Sequence, residues 1–315
     1  MRYRVLIPEK IAEEGIDYLR EIGYEVKMGR GIDKQVLIQD LQDCDAVIVR
    51  MAVLDEEVMK GCMRLKVIAK HGVGVDNIDL DAARKYNKRV VYTPCANIVS
   101  VAEHTMTLIL ACAKNINFMS QEYKNGNYWI KDVALTSEVR GKILGIIGLG
   151  RIGLTVAKMA KYGFGMNIIA YDPFIQKDKQ IDEVTLVKTW DEVFKNADFI
   201  TIHMPLTKET EKSIGKKEFE MMKDTAYFIN TSRGKIVDEE ALVEALKKKK
   251  IGGAGLDVTN PEPADINNPL FRMDNVILTP HCAGSTKEAM IRMAMDAIKG
   301  IQEVLSDKEP TYCIV

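Results

Sequence analysis

Six residues in the middle of the chain, Gly148-Leu149-Gly150-Arg151-Ile152-Gly153, have the types and spacing to cradle a pyrophosphate. They follow an apolar run, Ile143-Leu144-Gly145-Ile146-Ile147, that reads as a buried strand, and they open a segment, 154–162, with helical spacing. In such a loop Gly148 would allow the tight turn, Gly150 would let the backbone approach the phosphates, and Gly153 would let helix and strand pack closely. The helix N-terminus then offers free N–H groups and positive partial charge to an anion. Asp172 ends the next apolar run, Ile168-Ile169-Ala170-Tyr171, 19 residues beyond Gly153. A carboxylate there accepts hydrogen bonds from a ribose 2′-hydroxyl and repels a 2′-phosphate, which favours NAD over NADP. A plainer role for Asp172 is to cap the turn before Pro173.

A second set of residues could move a proton. His281 follows Val276-Ile277-Leu278-Thr279-Pro280, at the carboxyl end of an expected strand, where ligands bind in open α/β sheets. Glu262 lies in Asn260-Pro261-Glu262-Pro263 and Arg233 in Thr231-Ser232-Arg233-Gly234, each just past another expected strand. Arg233 would hold a carboxylate or carbonyl oxygen. His281 would transfer a proton, and Glu262 would orient the imidazole and favour its charged form. The chain has only four histidines, at 71, 104, 203 and 281.

These residues need elements to position them. Short apolar runs alternate with helical segments throughout, which implies mostly parallel sheets covered on both faces. The first region offers strands at 3–8, 46–49, 67–69 and 90–92, with helices at 11–22, 34–41 and 79–86. The stretch 100–119 reads as one apolar, buried helix, with Ser100 as N-cap and Glu103 completing a capping box. Six further strands, at 143–147, 167–171, 198–203, 226–230, 254–258 and 275–279, match a doubly wound sheet. A last amphipathic helix covers 287–305. The Lys247–Lys250 run follows a helical segment and reads as C-terminal charge complementing the helix dipole, not as a nucleic-acid patch.

Composition limits the function. The chain has 315 residues, enough for two cores, and a net charge of −1, so nothing draws it to nucleic acid or an anionic membrane. No apolar stretch approaches a membrane span, and the N-terminal run is too short for a signal peptide. Six cysteines, at 44, 62, 95, 112, 282 and 313, form no CxxC, and no His/Cys group has metal spacing, so no metal is expected. Free thiols in apolar runs fit a reducing cytoplasm.

The ordered motifs His71-Gly72-Val73-Gly74-Val75-Asp76-Asn77-Ile78-Asp79, Val101-Ala102-Glu103-His104-Thr105, the glycine loop, His203-Met204-Pro205-Leu206-Thr207 with Thr210, Asn230-Thr231-Ser232-Arg233-Gly234, Gly255-Leu256-Asp257-Val258, Pro261-Glu262-Pro263 and Thr279-Pro280-His281-Cys282-Ala283-Gly284 resemble the D-2-hydroxyacid dehydrogenase family along essentially the whole chain. The resemblance implies an α/β fold of two doubly wound parallel-sheet domains. A Rossmann NAD-binding domain, 100–285, would be inserted into a flavodoxin-like substrate domain, 1–99 plus 286–315. It implies catalysis by Arg233, Glu262 and His281. Cofactor contacts would fall on Val73, Gly148, Gly150, Arg151, Ile152, Gly153, Asp172, Met204, Pro205, Thr210, Thr231, Ser232, Asp257 and Gly284. Backbone N–H groups near Val73 and Gly74 would grip the substrate carboxylate, beside Arg233 and His281. A homodimer through the nucleotide domains is implied as well.

Within that family the chain looks most like the short phosphoglycerate dehydrogenases and the hydroxypyruvate or glyoxylate reductases. Arg50, in Val47-Ile48-Val49-Arg50, stands where the phosphoglycerate enzymes place a phosphate-binding arginine. Met51 departs from the serine usual there, and Asn127-Tyr128-Trp129-Ile130-Lys131 lacks an arginine often found in that subfamily. The chain stops short of the regulatory domain expected of the longer enzymes. Cys282 beside His281 is also a departure, read as a packed thiol or, more sharply, as a redox-sensitive one. Two other functions share this plan: an NAD-responsive corepressor-like binding protein and a formate dehydrogenase-like enzyme. Retention of the whole Arg–Glu–His set, with Glu262 in place of glutamine, favours the hydroxyacid enzyme over both.

Overall fold

The computed structural model describes residues 3–175, 181 and 184–315. It divides into two compact units, Met1–Asn97 with Gly284–Val315, and Ile98–Ala283. The chain therefore leaves the first unit, builds the second and returns.

The first unit alternates β1 (Arg4–Ile7), α1 (Glu13–Glu21), β2 (Glu25–Met28), α2 (Lys34–Leu41), β3 (Ala46–Val49), α3 (Glu56–Gly61), β4 (Val67–Lys70), α4 (Leu80–Lys85) and β5 (Arg89–Val91). All pairings among these strands are parallel, in the order β2-β1-β3-β4-β5. β3 and β4 are buried along their whole length, as strands covered on both faces must be. Leu37, Leu41, Val58, Met59, Ala82 and Ala83 from α2, α3 and α4 fill one face. Ile16 and Leu19 of α1, with Ala294, Ile298 and Ile301 of the C-terminal helix, Lys287–Leu305, fill the other.

The second unit begins with α5 (Ile98–Ala113) and α6 (Ile116–Lys124). It continues with β6 (Ile143–Ile147), α7 (Arg151–Lys158), β7 (Asn167–Tyr171), β8 (Val184–Leu186), α8 (Trp190–Asn196), β9 (Phe199–Ile202), α9 (Lys216–Met221), β10 (Tyr227–Asn230), α10 (Glu239–Lys247), β11 (Gly253–Leu256) and β12 (Val276–Leu278). Its sheet runs β12-β11-β10-β9-β6-β7-β8, again with every named pairing parallel. α5 and α7 cover one face through Met106, Ile109, Val156 and Ala157. α8, α9 and α10 cover the other through Phe194, Phe219 and Leu242, with Phe219 and Phe228 packed edge to face. Two open parallel sheets with helices on both faces confirm the expected fold class.

Four expectations are corrected. The sheets have five and seven strands, not four and six, because β2 and β8 lie at sheet edges and carry no continuous apolar run. α3 is a six-residue helix, too short to show a period. The expected helix at 100–119 is two helices, broken at Asn115, which takes a left-handed φ of 48°. Asparagine tolerates that conformation better than most side chains. Ser100 is not an N-cap: it lies buried inside α5, which starts at Ile98, so no capping box forms with Glu103. The lysine run does close a helix, with Lys248 as the C-cap of α10. No helix among the described residues is long and apolar enough to cross a membrane.

His71 is buried just past β4, with Nε2 3.3 Å from the Met290 carbonyl. Burial, with the Arg50 charge in support, pushes its imidazole down to about 4. A histidine protonated more easily unfolded than folded stabilises the fold above its unfolded value near 6.5, and that share is lost as pH falls toward 4. His71→Gln should therefore flatten the acid dependence: between pH 7 and pH 4.5, urea titrations should show it losing about 2 kcal/mol less stability than the parent. Parallel curves for the two proteins would contradict this.

Candidate active site

Because the strands of the second unit are parallel, their carboxyl ends share one edge. The sheet order reverses between β6 and β9, and the loop after β6 sits at that switch point, where α/β sheets bind ligands. Gly148 there has a φ of 91°, and a Cβ on it would fall 2.8 Å from the His203 carbonyl oxygen. A Cβ on Gly153 would lie 2.3 Å from the Gly148 oxygen. Both positions admit only glycine. Gly150 differs: a Cβ there would meet nothing within 4 Å, so open space lies beside the first turn of α7. The N–H groups of that turn have no helical acceptor. Arg151 is exposed and Ile152 half-buried on the same turn. This arrangement suits a dinucleotide pyrophosphate.

Asp172 follows β7 and does two jobs. Its Oδ2 accepts from the Leu149 N–H at 2.8 Å, fixing the glycine loop. Its Oδ1 accepts from the Phe174 N–H at 2.9 Å, capping the turn after Pro173. The turn-capping role is therefore real, and the carboxylate keeps lone pairs for further donors. Past β9, the Thr210 hydroxyl donates to the Pro205 carbonyl at 2.7 Å and accepts from the Thr207 N–H at 2.7 Å. Thr210 thus staples the loop that carries Met204 and Pro205.

The acid/base candidates follow β10, β11 and β12. Asn230, 1% exposed, builds the first loop: its Oδ1 accepts from the Ser232 N–H and hydroxyl, and its Nδ2 donates to the Arg233 carbonyl. Thr231 is buried, its hydroxyl 2.9 Å from that of Thr105 on α5. Arg233 is extended, with Nη1 donating to the Ser232 carbonyl at 2.8 Å. A Cβ on Gly234 would lie 2.0 Å from the Thr259 oxygen, so the Arg233 loop rests directly on the loop after β11. Glu239 holds that second loop from α10, accepting from the Asn260 N–H and the Asn268 side chain. Glu262 Oε1 accepts from the Thr259 N–H at 3.2 Å, and Oε2 lies 2.8 Å from His281 Nδ1. A carboxylate can only accept, so Nδ1 carries the proton and Nε2 is the nitrogen left to face a ligand. His281 has a left-handed φ of 50°, and its N–H donates to the carbonyls of Asp257 at 2.7 Å and Thr279 at 3.0 Å.

Asp257 holds that turn. It is 1% exposed and its carboxylate accepts from the Thr279 hydroxyl at 2.6 Å, the Cys282 N–H at 2.9 Å and the Ala283 N–H at 2.8 Å. His104 Nε2 reaches the same Thr279 hydroxyl at 3.0 Å. Neither this chain of bonds nor the approach of His104, Asp257 and Cys282 can be read from spacing in the sequence. Burial and the Asp257 charge push the Cys282 thiol up, which disfavours the reactive thiolate a redox sensor needs. His203, 3.1 Å from the Thr201 hydroxyl, is pushed down to about 3 by burial. His71 is likewise held neutral, which leaves His281, 2.8 Å from Glu262, and His104, 3.5 Å from Asp257 Oδ1, as the histidines that face a carboxylate side chain.

The first unit holds the remaining candidates. Arg50 follows β3, and its Nη1 donates to the Lys10 carbonyl at 3.0 Å. It lines an open cavity of about 410 Å³ with Lys10, Lys287 and Met290. Glu9, a residue the sequence did not single out, accepts from the consecutive N–H groups of Arg50, Met51 and Ala52. Lys70 and Asn77 bind carbonyls of the same loop. Val73 is 37% exposed, and the N–H groups of Val73 and Gly74 have no hydrogen-bond partner among the described residues. Gly284 begins the returning segment; a Cβ there would meet the Asn97 amide at 3.0 Å.

The model of the D-isomer specific 2-hydroxyacid dehydrogenase NAD binding domain matches residues 106–283. The D-3-phosphoglycerate dehydrogenase of Archaeoglobus fulgidus is 43% identical over 293 residues, covering 93% of this chain. The chain spans only 55% of the length of that relative. The hydroxypyruvate reductase of Thermotoga maritima is 38% identical over 304 residues, 95% of this chain and 97% of the relative. Among solved structures, the TT0316 protein from Thermus thermophilus superposes with a TM-score of 0.92 at 35% identity, over 99% of this chain and 100% of the other.

The close contact at Gly234 gives a direct check. Gly234→Ala should force the Arg233 loop off the Thr259–Glu262 loop and cost about 1–3 kcal/mol of stability, as overpacking does. A stability within about 0.5 kcal/mol of the parent by denaturant titration would mean that the two loops are not so tightly joined.

Proposed function

The chain belongs to the D-isomer specific 2-hydroxyacid dehydrogenase family, and we propose that it interconverts a small D-2-hydroxy acid and its 2-oxo acid with a nicotinamide dinucleotide. The observation that carries this reading is the 2.8 Å pairing of His281 with Glu262 on the same sheet edge as the glycine loop. A nicotinamide dinucleotide held at the glycine loop would supply a hydride to C2 of the oxo acid. His281 gives the carbonyl oxygen a proton from Nε2, and Glu262 stabilises the imidazole while it is charged. The Arg233 guanidinium polarises the carbonyl and takes one carboxylate oxygen. We further propose that the N–H groups of Val73 and Gly74, which have no hydrogen-bond partner among the described residues, would bind a substrate carboxylate.

The cofactor we infer is NAD. The position of Asp172 after β7 supports this reading: facing the adenosine ribose, its carboxylate would repel a 2′-phosphate and accept from a 2′-hydroxyl. Gly148, Gly150, Arg151, Ile152 and Gly153 would receive the pyrophosphate. Val73, Met204, Pro205, Thr210, Thr231, Ser232, Asp257 and Gly284 complete the proposed cofactor contacts. The substrate we infer is 3-phosphoglycerate or the pair hydroxypyruvate and glyoxylate. Arg50 would take the phosphate in the first case. A cytoplasmic setting suits a dinucleotide enzyme with free thiols.

NADH oxidation over a panel of glyoxylate, hydroxypyruvate, 2-oxoisocaproate and 3-phosphohydroxypyruvate tests the reading. Turnover is expected, falling about 100-fold or more in His281→Ala. Activity of that variant within a few-fold of the parent, or no turnover with any acid, would overturn it. If the substrate is phosphorylated, Arg50→Ala should raise KM for 3-phosphohydroxypyruvate far more than for hydroxypyruvate; equal effects remove Arg50 from that role.

We also propose a homodimer. Tyr123, Tyr128, Trp129, Val133 and Leu135, all in the second unit, expose a cluster of large apolar side chains. Light scattering should give twice the 35.4 kDa chain mass, and a monomer mass would refute the proposal.

A further inference from the structure

The two halves of the acid/base pair are held by different means. His281 is fixed through the turn that wraps Asp257, whose carbonyl accepts its N–H at 2.7 Å. Glu262 lies in the long loop between β11 and β12, and that loop is held from α10. Glu239 is the first residue of α10 and is half-buried, yet its carboxylate does not cap its own helix; Asp238 does that. Glu239 Oε2 instead accepts from the Asn260 N–H at 3.0 Å, 21 residues away, and Oε1 from the Asn268 side-chain amide at 2.7 Å, 29 residues away. One carboxylate therefore clamps both ends of the segment 260–268 that carries Glu262.

The clamp needs a carboxylate. Each donor takes one oxygen, so two acceptors are required at the same end of the side chain. The Asn268 amide cannot turn to help: it is buried, and its Oδ1 already accepts from the Leu270 N–H at 3.0 Å. Next to Asn260, the Thr259 N–H donates to Glu262 Oε1 at 3.2 Å and the Thr259 hydroxyl to the Pro261 carbonyl at 3.0 Å. A shift of Asn260 is thereby carried to the Glu262 carboxylate. A cavity of about 10 Å³ beside Glu239, lined among others by Asn230, Gly234 and Val258, has room for about one water. Solvent in so small a space cannot rebuild the clamp once it is broken.

We propose that Glu239 is a positioning residue for the proton transfer: it keeps Glu262 2.8 Å from His281 Nδ1, acting through Glu262 and not on the substrate. The inference rests on the proposed function and extends it to a residue of α10. With the clamp broken, Glu262 drifts from Nδ1 and stabilises less well the charged imidazole through which the proton passes. Turnover then falls, while binding of the acid, which draws on other groups, is kept.

The test is steady-state kinetics on the whole chain, with the 2-oxo acid of the panel that is turned over fastest. Glu239→Gln keeps the shape of the side chain and sets an amide NH₂ against one of the two donors. It should lower kcat by about 10–100-fold, as a misplacement of about 1 Å does. KM for the acid should stay within about threefold of the parent. In a Glu262→Gln background the same change should cost less than about threefold, because it acts through the carboxylate already removed. Asn268→Ser removes the amide donor but keeps an oxygen to accept from Leu270, and it should also lower kcat. That second variant carries the test if Glu239→Gln does not fold, which the thermal midpoint reports. Glu240→Gln, exposed on the same turn, should leave kcat unchanged. A kcat within about threefold of the parent in both clamp variants would overturn the positioning role. So would a raised KM with kcat kept, or costs that simply add in the Glu262→Gln background. A parent that turns over no acid would overturn the proposed function, and the inference with it.

Discussion

The buried carboxylate of Asp257 is the constraint on which the site depends. Three donors from the turn after β12 converge on it, and its own carbonyl takes the N–H of His281. A buried charge left without donors would be costly, so the turn must wrap around it. The wrapping puts His281 into a left-handed backbone conformation. That strain costs about 1–3 kcal/mol, whereas each hydrogen bond to a charged group contributes about 1.5–3 kcal/mol. Three such bonds outweigh the strain. The position of the imidazole is thus set by a carboxylate that does not touch its ring.

The same device recurs in the first unit. Glu9 fills the three consecutive N–H groups of Arg50, Met51 and Ala52, while Lys70 and Asn77 take carbonyls of that loop. In both units a parallel sheet delivers loops to one edge, and a charged side chain then fixes the backbone of the loop that carries the candidate residue. The turn at Val73 and Gly74 is the contrast. Its N–H groups have no partner among the described residues, which leaves them free for the carboxylate contact proposed above.

The interior of the fold was legible because buried strands of parallel sheets are continuous apolar runs. α2 and the C-terminal helix match their expected spans residue for residue. Edge strands are not legible for the converse reason: β2 is Glu-Val-Lys-Met and β8 Val-Thr-Leu, half-polar runs paired on one edge only and buried at no position. The break at Asn115 hid inside an apolar period that continues on both sides of it. At the site, the candidates were legible as residues placed just past strand ends. The partners that hold them were not. Asp257 meets Thr279 and Cys282 only because β11 pairs with β12, and His104 joins them because α5 packs over that end of the sheet. Those are facts of tertiary packing that no local period carries.

Burial also divides the work among similar groups. His71 and His203 lie deep enough that desolvation keeps both imidazoles neutral, and each is satisfied by a backbone carbonyl or a hydroxyl. His281 is 37% exposed in its side chain and its partner Glu262 26%, so the pair retains solvent and ligand access. At that exposure an ion pair contributes at most about 1 kcal/mol to stability. The fold therefore gains little from holding Glu262 against His281, although Glu239, Thr259 and Gly234 all act to keep their loop in place. Much of the side-chain order around this pair contributes to geometry and little to stability, as the proposed proton transfer by His281 would require.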